Sequence, residues 1–149
     1  MQTGGLCPLP IPLGGNAESG WSAEQHARAC ADLRACVRTL PFAVMRLTVV
    51  AGVSVTVADY IGRNGAGLAH APTPVFNGVG DYGFTWSAAY SDDYGTSEPV
   101  SLRSGRATAS AVTSIGGKVV CLSRNTCNVL LHTTSTGAAV DSDCFVVVW

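Results

Sequence analysis

Residues 141–149, Asp-Ser-Asp-Cys-Phe-Val-Val-Val-Trp, contain the stretch that decides how this chain folds. The six residues from Cys144 to Trp149 are all apolar, and three of them are valine, a β-branched residue that favours strands. Side chains alternate between the two faces of a strand, and an antiparallel sheet commonly shows water one face. A strand that is apolar on both faces is therefore expected to lie centrally in a sheet, with cover on each side.

The alternation divides this strand into two sets of side chains. The core-facing set is predicted to be Cys144, Val146 and Val148, and the outward set Phe145, Val147 and Trp149. The outward set requires a second apolar surface, for which there are three candidates: an N-terminal helix, an N-terminal arm or another subunit. The sequence does not choose among them, and we predict that the outward set forms an interface.

From Phe42 onward the apolar residues recur with a period of two, which indicates strands. Short β-branched or aromatic runs are separated by Gly, Asn and Asp, and no helical pattern intervenes, so the sheets are expected to be antiparallel. Residues 71–81 are predicted to be a Pro/Gly loop. The predicted strands lie within residues 42–50, 53–61, 82–91, 100–103, 106–114, 117–123, 126–134 and 144–149. The pattern predicts a mainly β fold, an antiparallel β-sandwich or jelly-roll-like domain of about eight strands.

One amphipathic helix is predicted ahead of the strands, over residues 22–40. Ser22 and Gln25 form an S-x-x-Q capping box, and Pro41 ends the helix. One apolar stripe at intervals of four and three comprises His26, Cys30, Leu33, Val37 and Leu40. A stripe of this kind is typical of a helix that packs one face on a core.

Residues 1–20 are rich in Gly and Pro and are predicted to form an extended arm, followed by a single domain over residues 21–149. Four apolar side chains in the arm favour contact with another surface: Leu6, Leu9, Ile11 and Leu13. The arm could reach a neighbouring subunit or fold back on its own domain, and both alternatives stay open. We include these four residues in the predicted interface.

The composition restricts the classes of partner. Apolar residues make up 47% of the chain and charged residues 13%, with a net charge of −1, so a basic nucleic-acid surface is not expected. No apolar run approaches the roughly 18 residues of a membrane span, and no secretory signal is recognised. We expect folding in a cytoplasm with reduced thiols. The low charge suggests cover by other protein chains; the alternative is a monomer with a neutral Ser/Thr-rich surface.

The six cysteines do not show a metal-binding pattern, because no C-x₂-C pair is present. Cys30 and Cys36 point in different directions from one helix and cannot bridge each other. Cys121 and Cys127 are symmetrical about a predicted hairpin turn, where they could be bridged or stay free. His26 and Cys30 are predicted to be core residues of the helix. We expect at least four buried free thiols, and no metal or cofactor.

No catalytic residue is predicted. His26, His70 and His132 lack any local nucleophile motif. The acidic pairs Asp92-Asp93 and Asp141 with Asp143 are interpreted as turn residues, and the second pair also as a guard against aggregation at a sheet edge. A calcium site at the first pair is disfavoured because the D-x-D-x-D-G spacing is absent.

Residues 82–94 carry an aromatic run that permits two interpretations. The residues are Tyr82, Phe84, Trp86, Tyr90 and Tyr94. Alternation of the first three favours one buried face of a strand. Exposed aromatic side chains could instead bind a carbohydrate, which is the weaker interpretation.

The stretch Thr-Trp-Ser-Ala-Ala-Tyr-Ser-Asp-Asp-Tyr-Gly-Thr-Ser-Glu-Pro-Val-Ser-Leu (85–102), together with the ending Val-Val-Val-Trp, resembles virion structural proteins of tailed bacteriophages, of the capsid cement or decoration type. The resemblance covers roughly residues 80–149. It implies a β-sandwich or jelly-roll module without catalytic residues that is assembled in the host cytoplasm into the virion. The implied partners are a major capsid protein and copies of the chain itself, as a homodimer or trimer. A tail or neck component, or a receptor- or carbohydrate-binding module, is the alternative.

Overall fold

The structure, a computed structural model, describes residues 22–91, 95–110 and 114–149. The predicted arm residues Leu6, Leu9, Ile11 and Leu13 lie outside the described residues. A boundary between two compact units falls between Leu40 and Pro41. The helix and the β-region on either side of this boundary are described separately.

Helix α1 spans Ala23–Val37 and begins with the predicted capping box. The backbone N–H of Gln25 donates to Ser22 Oγ at 3.2 Å, and the backbone N–H of Ser22 donates to Gln25 Oε1 at 2.9 Å. These two bonds satisfy donors that the first turn of a helix leaves without an intrahelical partner. The helix ends at Val37, three residues before the predicted Leu40, with Arg38 as its C-cap.

The apolar stripe of α1 does not form part of a buried core. No residue of the helix is buried; His26 is exposed, and Cys30 and Leu33 are half-buried. His26 Nδ1 lies 3.8 Å from Cys30 Sγ, so this pair is close, as its spacing predicts. The prediction that both are core residues is wrong, because periodicity identifies the apolar face of a helix but not what covers it.

The region after Pro41 is mainly β and antiparallel, as predicted. Its described residues contain eleven strands: β1 Ala43–Val50, β2 Ser54–Gly62, β3 Gly65–Ala66, β4 Thr73–Gly78, β5 Asp81–Thr85, β6 Ala89–Ser91, β7 Ser97–Pro99, β8 Gly105–Ala109, β9 Ile115–Cys121, β10 Thr126–Thr133 and β11 Cys144–Val148. A 3₁₀ turn, Leu68–His70, follows β3. The number of strands exceeds the predicted eight for two reasons. Strands β3, β6 and β7 are only two or three residues long and were not predicted as separate strands, and β4 lies in a predicted loop.

The strands form two larger sheets and one hairpin. Five strands are ordered β3-β2-β1-β11-β8, four are ordered β4-β5-β10-β9, and β6 pairs with β7. Buried side chains of both larger sheets belong to one hydrophobic cluster, with Met45 and Val146 from the first sheet and Tyr82 and Leu131 from the second. This arrangement is compatible with the predicted β-sandwich.

Two segments differ from the sequence prediction. The predicted loop at residues 71–81 contains β4, an edge strand that pairs with β5. Pro74 fits there because the outer side of an edge strand needs no backbone donor. Residues 100–103, predicted as a strand, belong to none, although Val100 and Leu102 are buried in the core.

Strand β11 occupies the central position that its apolar sequence predicts. It pairs with β1 on one side and with β8 on the other. The predicted core-facing residues, Cys144, Val146 and Val148, are each 0% exposed, whereas Phe145 is 47% exposed. The register therefore follows the alternation, since a shift by one residue would reverse every side chain between core and surface.

The two faces of β11 can be compared with one substitution at adjacent positions. Val146→Thr should lower the free energy of unfolding by about 1–3 kcal/mol, because it places a hydroxyl in the apolar core. Val147→Thr should change it by less than about 0.5 kcal/mol, because the same hydroxyl reaches the outward side. Urea denaturation of both variants measures the difference, and equal losses would contradict the assigned faces.

Candidate functional site

The outward side of the five-stranded sheet carries a continuous apolar row across three strands. Val44 on β1 lies opposite Ile61 on β2 and opposite Val147 on β11. Phe145 is two residues from Val147 on the same side of its strand. We call these four residues the outward face. Ile61 is 69% exposed, Phe145 47% and Val44 43%, so three members show large apolar area on the surface.

A polar row borders the outward face. Arg46 lies opposite both Phe145 and Asp59 in the sheet register. Its Nε and Nη2 atoms each lie 2.7 Å from Asp59 Oδ2. Because both side chains are largely exposed, the pair contributes at most about 1 kcal/mol to stability. Its position beside Phe145 limits the apolar area on that side.

Trp149, the predicted interface residue that directly follows β11, has its backbone anchored beside the start of β8. Its N–H donates to the Ser104 carbonyl at 2.9 Å, and its carbonyl accepts from the Arg103 N–H at 2.6 Å. Its side chain is 36% exposed. The sheet thus brings Phe145 and Val147 together with Val44 and Ile61, two residues that sequence reasoning did not include. The alternation of side chains along residues 43–50 and 54–62 could have identified Val44 and Ile61 as outward-facing apolar residues.

Asp141, predicted to be a turn residue, is instead a hydrogen-bond acceptor shared by both sheets. Its Oδ2 accepts from the backbone N–H of Gly52, between β1 and β2, at 2.7 Å. Its Oδ1 accepts from the Gly80 N–H and the Tyr82 hydroxyl, each also at 2.7 Å. Gly80 lies in the turn that joins β4 and β5 of the four-stranded sheet, and Tyr82 lies on β5. One carboxylate therefore connects the two sheets at one end.

Gly80 can approach Asp141 only because it lacks a side chain. Its φ of +66° is in the left-handed region that favours glycine. A Cβ at this position would lie 2.5 Å from the Leu131 carbonyl oxygen and 2.9 Å from the Val140 nitrogen. The carbonyl of Gly80 accepts a hydrogen bond from the Leu131 N–H of β10 at 2.8 Å. The turn is thereby held between Asp141 and β10.

The shared hydrogen bonds determine the ionisation of both Asp141 and Tyr82. Burial acts to raise the pKa of Asp141, but hydrogen bonds from Gly80, Gly52 and Tyr82 outweigh it, so the pKa lies below the ordinary 3.8. Burial, followed by the hydrogen bond to the Asp141 carboxylate, raises the pKa of Tyr82 far above its usual value. The ionised carboxylate and the neutral phenol are the favoured forms.

Asp143 has a related role, since its Oδ1 accepts from the Val49 N–H of β1 at 2.7 Å. No turn is present at residues 141–143, so the turn interpretation of this pair is wrong. The backbone N–H groups that Asp141 and Asp143 bind are about 60 to 94 positions away in sequence. A local sequence pattern does not reveal contacts at such separations. Asp92 and Asp93 lie outside the described residues.

The aromatic run is mostly core. Tyr82, Phe84 and Trp86 are 0%, 1% and 2% exposed, which confirms the core interpretation for these three. Trp86 Nε1 donates to the Tyr60 hydroxyl at 2.9 Å, and so connects the segment after β5 with β2. Tyr90 is half-buried and packs edge-on against Phe42, with ring centroids 5.8 Å apart. Tyr94 lies outside the described residues.

A shallow depression of about 380 Å³ lies beside the turn that contains Gly80, with Asp81, Lys118 and His132 among its lining residues. Asp81 Oδ1 already accepts from the side-chain amides of Asn77 and Asn128, at 3.2 and 3.0 Å.

Within the described ranges no group of three or more His, Cys, Asp or Glu residues could hold a metal ion. In the same part of the chain, no helix is long and apolar enough to cross a membrane.

Among the described residues, four cysteines are free thiols, namely Cys30, Cys121, Cys127 and Cys144. Cys127 and Cys144 are buried, whereas Cys121 and Cys30 are half-buried. The prediction of at least four buried free thiols is wrong, because two of these four thiols are only half-buried. Cys36 is disulfide-bonded, in contrast to the expectation that all thiols are reduced.

Comparison of the chain with protein-family models, curated proteins and solved structures found no match.

The cross-sheet role of Asp141 can be tested with Asp141→Asn. Near neutral pH, the free energy of unfolding should fall by about 1–3 kcal/mol, because the amide cannot replace a charged acceptor of three hydrogen bonds. Since the folded-state pKa is depressed, this stabilisation is present above the ordinary value of 3.8 and is lost as pH falls through the folded-state pKa. Wild type and variant should therefore converge in urea denaturation at acid pH.

The matched control is Asp59→Asn, which removes an exposed carboxylate paired with Arg46. It should cost less than about 1 kcal/mol at neutral pH. A wild-type advantage over Asp141→Asn that stays constant between neutral and strongly acid pH would contradict the assignment.

Proposed function

We propose that this chain is a non-enzymatic structural protein of a virion, of the kind that self-associates and docks on a phage capsid to cement or decorate the shell. The outward face provides the contact with a second copy. The resemblance of residues 85–102 and of the ending Val-Val-Val-Trp to phage cement proteins supports the capsid as the larger partner. The low charged fraction of 13% supports a surface that is partly covered by protein.

The single observation that carries the proposal is the apolar row on the outside of the central strands. Ile61, Val44 and Val147 lie side by side on three adjacent strands, with Phe145 next to them. An exposed apolar patch bordered by polar residues is typical of a protein–protein interaction site. The border here is the pair Arg46–Asp59, and Arg106 opposite Val147 continues it on β8.

The size of the outward face suits weak contacts that are repeated in an assembly. Full burial of one Val, Ile or Phe side chain contributes about 1.5–3 kcal/mol, so four side chains that are already partly buried contribute roughly 3–5 kcal/mol per copy. Two copies in a symmetric contact would gain about twice that amount, against an association cost of about 4–15 kcal/mol. A free dimer should therefore be weak, whereas several simultaneous contacts on a shell would be stable.

The carbohydrate-binding alternative loses its main sequence support. Tyr82, Phe84 and Trp86 are buried in the core, where their rings cannot stack on a sugar.

A tail or neck location would use the same outward face and is compatible with the same geometry. Binding to isolated phage heads, measured by co-sedimentation, would distinguish a capsid partner from a tail partner.

Self-association through the outward face is tested by Ile61→Ser. The substitution removes the most exposed apolar side chain of the face, so the dissociation constant should rise by at least fivefold. Sedimentation velocity over micromolar to millimolar protein concentration measures this change.

Val53→Ser is a closely matched control, because Val53 is 68% exposed against 69% for Ile61 but lies between β1 and β2, outside the outward face. It should leave association unchanged, and circular dichroism should show that both variants fold. Equal association of wild type and Ile61→Ser would remove the outward face from the proposal, as would a wild-type protein that stays monomeric throughout.

A further inference from the structure

We propose that Cys121 and Cys127 form a cross-strand site for reversible disulfide formation, at which a small-molecule disulfide such as oxidised glutathione locks β9 to β10. The two residues lie directly opposite each other in the antiparallel register of these strands. Both are free thiols in this structure. The proposal is independent of the assembly function, because neither residue belongs to the outward face.

The register places the pair at a position where a bridge fits. In an antiparallel pair, positions alternate between hydrogen-bonded pairs and non-hydrogen-bonded pairs, and the latter have Cα atoms only about 4.5 Å apart. Disulfides are found at Cα separations of about 4.4–6.8 Å. Opposed side chains also leave the sheet on the same face, so the two sulfur atoms point the same way.

Two sets of hydrogen bonds identify Cys121–Cys127 as a non-hydrogen-bonded pair. The next position toward the turn is hydrogen-bonded, because the Leu122 N–H donates to the Thr126 carbonyl at 3.0 Å. On the other edge of β10, the Asn125 carbonyl accepts from Trp86 and the Leu131 N–H donates to Gly80. The backbone groups of every second residue along β10 point to the same side. Those of Cys127, two residues after Asn125, therefore point toward β5 and away from Cys121.

Location in the sheet gives the two thiols different access. β9 is the edge strand of the four-stranded sheet, and Cys121 is its half-buried last residue. Cys127 is 0% exposed. Burial raises the pKa of Cys121, and burial followed by the nearby Cys121 raises the pKa of Cys127 to about 12. Cys121 is therefore the thiol that an external disulfide meets first, and the reaction accelerates with rising pH.

The chemical step is a thiol–disulfide exchange. The Cys121 thiolate attacks one sulfur of oxidised glutathione, which forms a mixed disulfide and releases one glutathione thiolate. The Cys127 thiolate then attacks the Cys121 sulfur, which forms the Cys121–Cys127 bond and releases the second glutathione. The two cysteines lose two protons and two electrons, and the electrons reduce one glutathione disulfide to two thiols.

Peptide mapping can detect the bond, because Arg124 lies between the two cysteines. Trypsin cleaves after Lys118 and Arg124, so residues 119–124 and 125–149 become separate peptides that only a disulfide holds together. Folded, full-length protein is treated with oxidised glutathione at pH 7 and pH 9, quenched with acid, unfolded, alkylated and digested. The linked peptides should appear, with a rate at pH 9 more than tenfold above that at pH 7, because thiolate is the attacking form.

Residues 125–149 also contain Cys144, so Cys144→Ala is the control variant. Linked peptides should persist in Cys144→Ala and be lost in Cys127→Ala, while Cys30→Ser should behave as wild type. In wild type, the oxidised protein should also unfold at a higher urea concentration than the reduced protein. The proposal is overturned if both thiols stay alkylatable, if Cys121 only retains glutathione, or if the linked peptides survive in Cys127→Ala.

Discussion

The described β-region depends on one carboxylate that holds two sheets together. Asp141 accepts hydrogen bonds from Gly52 in one sheet's turn and from Gly80 and Tyr82 in the other sheet. Three charge-assisted bonds offset the cost of partly shielding the carboxylate from water, and they satisfy two turn N–H groups. A second connection, from Trp86 to Tyr60, lies beyond the far end of β5. Polar bonds thus join the sheets at both ends of a core that is otherwise apolar.

These connections explain why β11 can present apolar side chains outward without losing its register. The strand follows directly after Asp141 and Asp143, whose carboxylates bind Gly52 and Val49 near the turn between β1 and β2. Anchored at its start, β11 can place only Cys144, Val146 and Val148 in the core. Its other face is then available for contact, and on the proposed function that face is where a second copy binds.

Local sequence rules predicted the elements that depend on near neighbours. The capping box of Ser22 and Gln25 was found as expected, since both groups lie within one helical turn. The alternation of Tyr82, Phe84 and Trp86 correctly indicated core packing. In contrast, Pro and Gly at residues 71–81 concealed β4, because an edge strand tolerates both. The role of Asp141 was missed because a turn residue and a cross-sheet acceptor have the same local sequence.

The sequence by itself determined the class of fold, the start of the helix, and which residues of β11 face the core. Each of these follows from side-chain periodicity and capping, which act over a few residues. Only the tertiary structure decided which strands became neighbours, that Val44 and Ile61 extend the apolar row, and that Cys121 lies opposite Cys127. Register between distant strands decides such contacts, and it results from packing and hydrogen bonds that no short stretch of sequence contains.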